Sequence, residues 1–148
     1  MKKALSEIYK ELGIDFQFPI EIKNSKGNTT YFETSDDAWS RYEHDERGKL
    51  TYYEDSNGYW RRREYDEWGN VTLFEDSSGY WIRYEYDERG NLTYFENSNG
   101  YWRRREYDGS GKQTYFEDSN VFVKGTPRAS VANKIITVDG KQYKLVET

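Results

Sequence analysis

A 21-residue period runs through the middle of this chain, and it excludes most folds before any local reading begins. Trp39, Trp60, Trp81 and Trp102 fall 21 residues apart. Arg41, Arg62, Arg83 and Arg104 keep step with them, as do Glu43, Glu64, Glu85 and Glu106. Gly48, Gly69, Gly90 and Gly111 follow, and then Glu54, Glu75, Glu96 and Glu117. The consensus unit reads W-x-R-x-E-Y-D-E-x-G-N-x-T-Y-F-E-D-S-x-G-Y. Units run from Trp39 to about Ser119, with Tyr31-Phe32-Glu33 as the tail of a degenerate earlier one. Where the next Gly-Tyr-Trp-Arg belongs, Val121-Phe122-Val123-Lys124 stands instead, and the pattern stops.

Each unit carries two turn signals of the form Asp/Asn-x-x-Gly. Asp45-Glu46-Arg47-Gly48 and Asp55-Ser56-Asn57-Gly58 are the first pair. The Asp or Asn side chain caps the local backbone, and the Gly accepts a positive φ that a β-carbon would oppose. Such turns close β-hairpins, often with a bulge. They leave strands of about six residues, rich in Tyr, Phe, Trp, Thr and Arg, an ordinary strand length. The expected fold is all-β, an antiparallel β-meander with two strands per unit.

Alternation sorts the side chains into two faces. Along residues 80–86, Trp81, Arg83 and Glu85 share one face, and Tyr80, Ile82, Tyr84 and Tyr86 share the other. Along 92–96, Leu92, Tyr94 and Glu96 are expected on one face, with Thr93 and Phe95 opposite. Residues 31–118 hold few branched aliphatics, namely Leu50, Val71, Leu73, Ile82 and Leu92. A sandwich core cannot be built from these, so aromatic ladders and Arg–Glu pairs must hold a single-layer or spiralling sheet. An odd repeat poses a parity problem. Unless each unit absorbs one extra residue, Trp changes face from unit to unit. A bulge per unit is the expected remedy, because a continuous aromatic row buries more surface. Arg61-Arg62-Arg63 and Arg103-Arg104-Arg105 recur after 42 residues, which fits alternating faces or duplication of a two-unit block.

The chain reads as a single domain over residues 1–148: an N-terminal cap (1–30), the repeats (31–121) and a C-terminal cap (122–148). In the first cap Leu5, Ile8, Tyr9 and Leu12 lie at helical spacing, with Gly13 as the stop. Ile14, Phe16, Phe18, Ile20 and Ile22 then alternate as a first strand, with Pro19 suited to a sheet edge. At the far end, Lys124 to Arg128 reads as a loop. Residues 134–138 and 141–146 flank Asp139-Gly140 as a hairpin.

At Arg83-Tyr84-Glu85-Tyr86-Asp87-Glu88-Arg89-Gly90-Asn91-Leu92 the chain resembles the YD repeat of RHS and teneurin-like proteins. That repeat has Tyr-Asp, two variable residues, Gly, then Arg or Asn and an aliphatic. Tyr65-Asp66 with Gly69-Asn70-Val71 fits as well. Tyr107-Asp108 with Gly111 departs at Lys112-Gln113, and His44-Asp45 departs at the Tyr. The resemblance covers roughly residues 42–118 and implies antiparallel hairpins in a spiralling sheet. In that family long arrays build a shell around a toxin, and four units are too few to enclose anything. A weaker likeness, carried by Asn57-Gly58-Tyr59-Trp60, is to choline- and glucan-binding cell-wall repeats.

Composition narrows the chemistry. With no Cys and a single His, His44, the chain has no thiolate nucleophile, no Cys-type zinc site and no multi-His metal site. Acidic pairs such as Glu54-Asp55, Glu75-Asp76 and Glu117-Asp118 recur beside turns. An active site is singular and these are not, so no catalytic residues, metal ligands or cofactors are expected. No apolar run approaches the roughly 18–20 residues of a membrane span. Met1-Lys2-Lys3 is followed by mixed residues rather than an apolar stretch, which gives the expectation of a cytoplasmic protein.

The function expected is non-enzymatic protein binding. Aromatics make up 18% of the chain against 34% for all hydrophobic residues, so more than half of the apolar side chains are rings. Tyr and Arg are favoured at binding hot spots. The expected contact face comprises Tyr59, Arg61, Arg63, Tyr65, Tyr80, Tyr84, Tyr101, Arg103, Arg105 and Tyr107. Arg beside aromatics also suits single-stranded nucleic acid. Residues 31–118, however, hold 21 acids against 12 bases, a sign that opposes phosphate binding. Nucleic acid is therefore not the expected partner. A narrower expectation is a phage or mobile-element inhibitor of a bacterial defence protein. The alternative is a glycan-binding module that uses the repeated aromatics.

Overall fold

The computed structural model describes residues 3–127 and the backbone of 135–138 and 141–144. A helix, α1 (Leu5–Leu12), comes first. It is followed by β1 (Ile20–Lys23), β2 (Thr29–Glu33), β3 (Trp39–His44), β4 (Leu50–Asp55), β5 (Trp60–Tyr65) and β6 (Val71–Asp76). Then come β7 (Trp81–Tyr86), β8 (Leu92–Asn97), β9 (Trp102–Tyr107), β10 (Gln113–Asp118) and β11 (Val123–Gly125). These eleven strands form one open antiparallel sheet in strict sequence order. Two more, β12 (Ile135–Val138) and β13 (Lys141–Lys144), pair as a separate antiparallel ribbon. The Asp139-Gly140 turn expected between them lies outside the described residues.

Three boundaries differ from the sequence reading. The first strand begins at Ile20, not Ile14. The apolar residues before it serve packing instead, with Phe16 5.8 Å from Tyr9 and 5.3 Å from Phe18 between ring centres. Lys124 and Gly125 belong to β11 rather than to a loop. The repeat also reaches further back than Tyr31. The turn Asn24-Ser25-Lys26-Gly27 has the geometry of the later ones, with Asn24 Oδ1 accepting the Lys26 and Asn28 amides at 3.0 Å each.

The parity problem is solved by a bulge in every unit, and each bulged residue is a Thr. Glu43 pairs with Tyr52 and His44 with Leu50, which leaves Thr51 as the extra residue. Thr30, Thr72, Thr93 and Thr114 are skipped in the same way. Consequently Arg41 lies opposite Glu54 and Glu54 opposite Trp60, while Arg62 lies opposite Glu75 and Glu75 opposite Trp81. Cross-strand partners project to the same side, so every repeat Trp sits on one face. The bulge also corrects the expected face of Leu92. It pairs with Tyr86, away from Tyr94 and Glu96.

Why Thr? Its hydroxyl answers the carbonyl that the bulge leaves short of a partner. Thr93 Oγ1 donates to the Glu85 carbonyl at 3.1 Å, Thr114 Oγ1 to Glu106 at 3.3 Å and Thr30 Oγ1 to Ile22 at 3.2 Å.

Nothing in the middle of the sheet is fully buried. The compact apolar cluster lies at its N-terminal end, where Ala4, Ile20, Tyr31 and Trp39 pack with Leu5, Tyr9 and Phe16. There α1 lies on the Trp face. The helix has no capping side chain of its own at Ala4. The sheet supplies one: Glu33, 0% exposed, accepts the Ser6 amide at 3.1 Å and the Tyr31 hydroxyl at 2.7 Å. Tyr31 in turn accepts the Leu5 amide at 3.0 Å. These acceptors serve helix amides that have no intrahelical partner.

The last turn of the array carries a conformational burden. Val121 takes the position that Gly holds in the repeats before it and Asp37 in the first such turn, with φ 65° and 88% of its surface exposed. A β-branched residue in the left-handed region is strained, and here no burial offsets it. Val121→Gly is expected to raise stability by about 1 kcal/mol, read as a higher urea midpoint at unchanged slope.

Candidate functional site

The two faces of the sheet carry different chemistry. On the Trp face, Arg and Glu alternate with the aromatics. Arg62 Nε lies 3.2 Å from Glu75, and its guanidinium is 3.6 Å from Glu64. Arg104 lies 2.7 Å from Glu106 and 3.7 Å from Glu117. The guanidinium ends of these pairs are about half exposed, so solvent screens them and each contributes modestly to stability.

Arg lies on rings on both faces: Arg41 stands 5.0 Å from the Trp39 ring centre and Arg104 5.9 Å from Tyr115 on the Trp face, and the opposite face has its own set. Arg61 stands 5.1 Å from the Tyr53 ring centre, Arg63 5.8 Å from Phe74, Arg103 4.8 Å from Phe95 and Arg105 5.6 Å from Phe116. Guanidinium over an aromatic face is a favourable arrangement at these distances. The rings themselves form rows: Tyr42 with Tyr53 at 5.4 Å, Tyr53 with Tyr59 at 6.1 Å, Tyr84 with Phe95 at 5.6 Å and Phe95 with Tyr101 at 5.9 Å. The register brings Arg61, Arg63, Tyr65, Tyr84, Arg103, Arg105 and Tyr107 to this one face, and ring contacts join Tyr59 and Tyr101 to it, while Tyr80 stands in the turn before β7. Arg61 and Arg63 on β5 are separated from Arg103 and Arg105 on β9 by four strand steps, about 19 Å at the usual strand spacing.

The ten residues do not have equal freedom to bind. Tyr65 donates to the Leu50 carbonyl at 2.8 Å, Tyr86 to Val71 at 3.1 Å and Tyr107 to Leu92 at 3.1 Å. Each of these tyrosines holds the carbonyl just before a Thr bulge on the preceding strand. The Tyr of the Tyr-Asp pair thus clamps the fold, a role the spacing of fifteen residues from each Leu or Val encodes but which sequence reading passed over. Burial pushes the Tyr86 hydroxyl above its ordinary pKa. His44 takes the clamp position in the first full unit, and its Nδ1 is buried with no hydrogen-bond partner. It borders an open hollow of about 510 Å³ lined also by Thr29, Phe32 and Tyr42. Tyr86→Phe is expected to lose about 1 kcal/mol in urea melts, because the half-buried Val71 carbonyl loses its donor. A neutral result would remove the clamp role.

The Asp of the pair caps its turn. Asp87 Oδ1 accepts the Arg89 amide at 3.0 Å and the Asn91 amide at 2.8 Å, and its Oδ2 accepts Asn91 Nδ2 at 2.9 Å. The Asn91 side chain is the main cause that holds the Asp87 carboxyl below its usual range. Ser110 does the same for Asp108 and Ser78 for Asp76. These carboxylates are occupied with backbone. Among the described residues no group of His, Asp or Glu is arranged to hold a metal ion. No helix of the described residues is long and apolar enough to cross a membrane.

Two exposed aromatics escaped the sequence reading. Trp68, 63% exposed, stands at the turn position held by Arg47 and Arg89 in the neighbouring units. Phe122, 57% exposed, contacts Phe116 at 5.7 Å and extends the ring row toward β11.

With this geometry in hand, the fold finds counterparts among solved structures. A chain of the Photorhabdus luminescens Tc holotoxin pore aligns over 70% of this chain with a TM-score of 0.51 and 18% identity. A chain in the crystal structure of TcdB2-TccC3-TEV aligns over 80%, again with a TM-score of 0.51, at 13% identity. The aligned stretches are 7% and 6% of those two chains, so the likeness is one of local architecture. At these identities it shows a shared fold, the antiparallel meander of short repeated hairpins. No protein-family model matches this chain, and no curated protein matches its sequence.

Proposed function

We propose that this chain is a short YD-repeat array that acts as a non-enzymatic protein-binding module, with its Tyr/Arg face as the contact surface. The observation that carries the reading is the sorting of charge. The chain is acidic overall, yet Arg61, Arg63, Arg103 and Arg105 lie on rings on one side, while on the Trp side Arg41, Arg62, Arg83 and Arg104 are outnumbered by Glu43, Glu54, Glu64, Glu75, Glu85, Glu96, Glu106 and Glu117. A face of rigid rings topped by guanidinium groups loses little side-chain freedom on binding and favours an acidic partner surface. The repeat assignment draws support from the paired roles of Tyr and Asp, clamp and cap, and from the fold shared with the toxin stretches. Inhibition of a bacterial defence protein is the narrower form of the same proposal.

The test compares the intact protein with an Arg63→Glu/Arg105→Glu variant as baits in bacterial lysates. A partner held by the parent and lost by the variant supports the reading. A partner lost only when Trp-face residues change would move the surface to the other side. Quenching of tryptophan emission by soluble glucans, unaffected by the Arg substitutions, would favour the glycan module instead.

A further inference from the structure

The arginines of the two faces differ in what answers their charge. On the Trp face, Arg62 is paired with Glu75 and Arg104 with Glu117. On the ring face, Arg61, Arg63, Arg103 and Arg105 have no carboxylate partner among the described residues, and each rests on a ring instead. The Nε atoms of Arg61, Arg103 and Arg105 are buried with no hydrogen-bond partner. Carboxylates do stand opposite two of them in register, Asp76 across from Arg61 and Asp118 across from Arg103. Both are committed to their own turns. Asp76 Oδ1 accepts the Ser78 amide at 2.9 Å, and Asp118 Oδ1 accepts the Asn120 amide at 2.9 Å. A guanidinium has several N–H donors in one plane, and a ring beneath it accepts none of those at the edge. The outer donors of these four arginines are therefore unclaimed by the protein.

The fold sets their spacing. Arg61 and Arg63 are two residues apart on β5, and so are Arg103 and Arg105 on β9, about 6.7 Å at the rise of a strand. On β7 the same positions are held by Ile82 and Tyr84. An uncharged strip thus separates two basic pairs whose strands lie about 19 Å apart.

We infer that the two arginine pairs are twin carboxylate receptors for one acidic polypeptide segment, which crosses β7 from one pair to the other. The inference rests on the protein-binding function proposed above and names the chemistry of the partner. That segment carries two acidic clusters about six residues apart, because six residues of extended chain span about 20 Å. Uncharged residues lie between them, over Ile82 and Tyr84. Each cluster meets guanidinium groups already oriented by the rings beneath them, in charge-assisted hydrogen bonds. Holding one cluster makes capture of the other intramolecular, so the spacing itself strengthens binding. Nucleic acid fits less well. The rings on which bases would stack already carry guanidinium groups, and the net charge of −5 opposes a phosphate backbone.

The experiment follows fluorescence anisotropy of labelled peptides with the full chain at low salt. The spaced probe is Glu-Glu-Ser-Leu-Gly-Ser-Glu-Glu. A second peptide has Gln-Gln in place of the last two residues, and a third has the same composition with its glutamates contiguous. The spaced probe is expected to bind at least tenfold more tightly than either. Arg103→Gln/Arg105→Gln is expected to bring it down to the level of the Gln-Gln peptide, with circular dichroism unchanged. Arg62→Gln, on the Trp face, is expected to leave binding as it was. No binding of the spaced probe, equal binding of the spaced and contiguous peptides, or a loss in Arg62→Gln matching that of the double variant would each overturn the inference. So would tighter binding of a single-stranded oligothymidylate, which would make the face a nucleic-acid surface. The peptide comparison needs only the parent protein, so it decides even where a variant does not fold. A lysate partner held through the Arg face, with no preference for the spaced probe, would sink the twin receptors and leave the protein-binding function standing.

Discussion

Replacing Glu33 by Ala is expected to destabilise the protein by about 3 kcal/mol and to release α1 from the sheet. The carboxylate is fully buried and caps the helix while accepting the Tyr31 hydroxyl, so its loss strands several donors at once. Urea melts with far-ultraviolet dichroism would read the stability and the helix together. Glu33→Gln retains acceptor capacity and is expected to lose less. Glu64→Ala, which removes an exposed partner of Arg62 on the same face, serves as the control and is expected to change stability by under about 1 kcal/mol. Equal losses at Glu33 and Glu64 would sink the capping role.

The same contact gives a pH dependence whose sign is fixed. Burial alone pushes the Glu33 carboxyl up, but hydrogen bonds from Ser6 and Tyr31 outweigh it, and its pKa is lowered. A lowered carboxyl contributes stability that is present above the ordinary carboxylate range and is lost as pH falls through the lowered value. Burial and the Glu33 contact push the Tyr31 hydroxyl up to about 12. A raised phenol contributes stability that is complete below its ordinary value and is lost as pH climbs toward about 12. Docking of α1 is therefore expected to hold from mildly acidic to mildly alkaline solution and to fail at both extremes. Dichroism across a pH titration would follow it, and Glu33→Gln is expected to weaken the acid limb. The turn aspartates, also lowered, add to the acid loss throughout the array.

Gly90→Val is expected to cost about 1–3 kcal/mol, through conformation alone. Gly90 sits at φ 81°, and a β-carbon there would meet nothing within 4 Å, so the cost arises from the backbone conformation. Its amide donates to the Asp87 carbonyl at 2.9 Å and closes the turn. Glu88→Ala, at an exposed neighbour in the same turn, is expected to be silent. Together with the gain predicted for Val121→Gly, the pair tests one idea from both directions: left-handed backbone sets the fourth turn position. Similar melts for Gly90→Val and Glu88→Ala would contradict it.

Much of this architecture was legible in the residues because its causes are local. The 21-residue period, the paired Asp-x-x-Gly turns and six-residue strands gave the open meander. The scarcity of Leu, Ile and Val ruled out a two-layer core. The single-face Trp row was the favoured of two readings left open by the odd repeat, and the bulges of the sheet decide for it. Which residue bulges was not legible, because Thr51 and its equivalents read as ordinary strand residues until the facing strand shows no partner for them. The Tyr clamps were hidden for a related reason. Tyr65 and Leu50 meet across neighbouring strands, and a ring on an aromatic face gives no sign that its hydroxyl is committed to a carbonyl.

Sequence alone thus determined the meander and the hairpins closed by its Asp-x-x-Gly turns, because turn chemistry and side-chain alternation act over a few residues. Only the tertiary structure decided how charge divides between the faces. It also revealed that Glu33 caps a helix 27 residues away. Those facts depend on register between strands and on the landing place of α1, which short-range preferences leave open until the whole sheet is assembled.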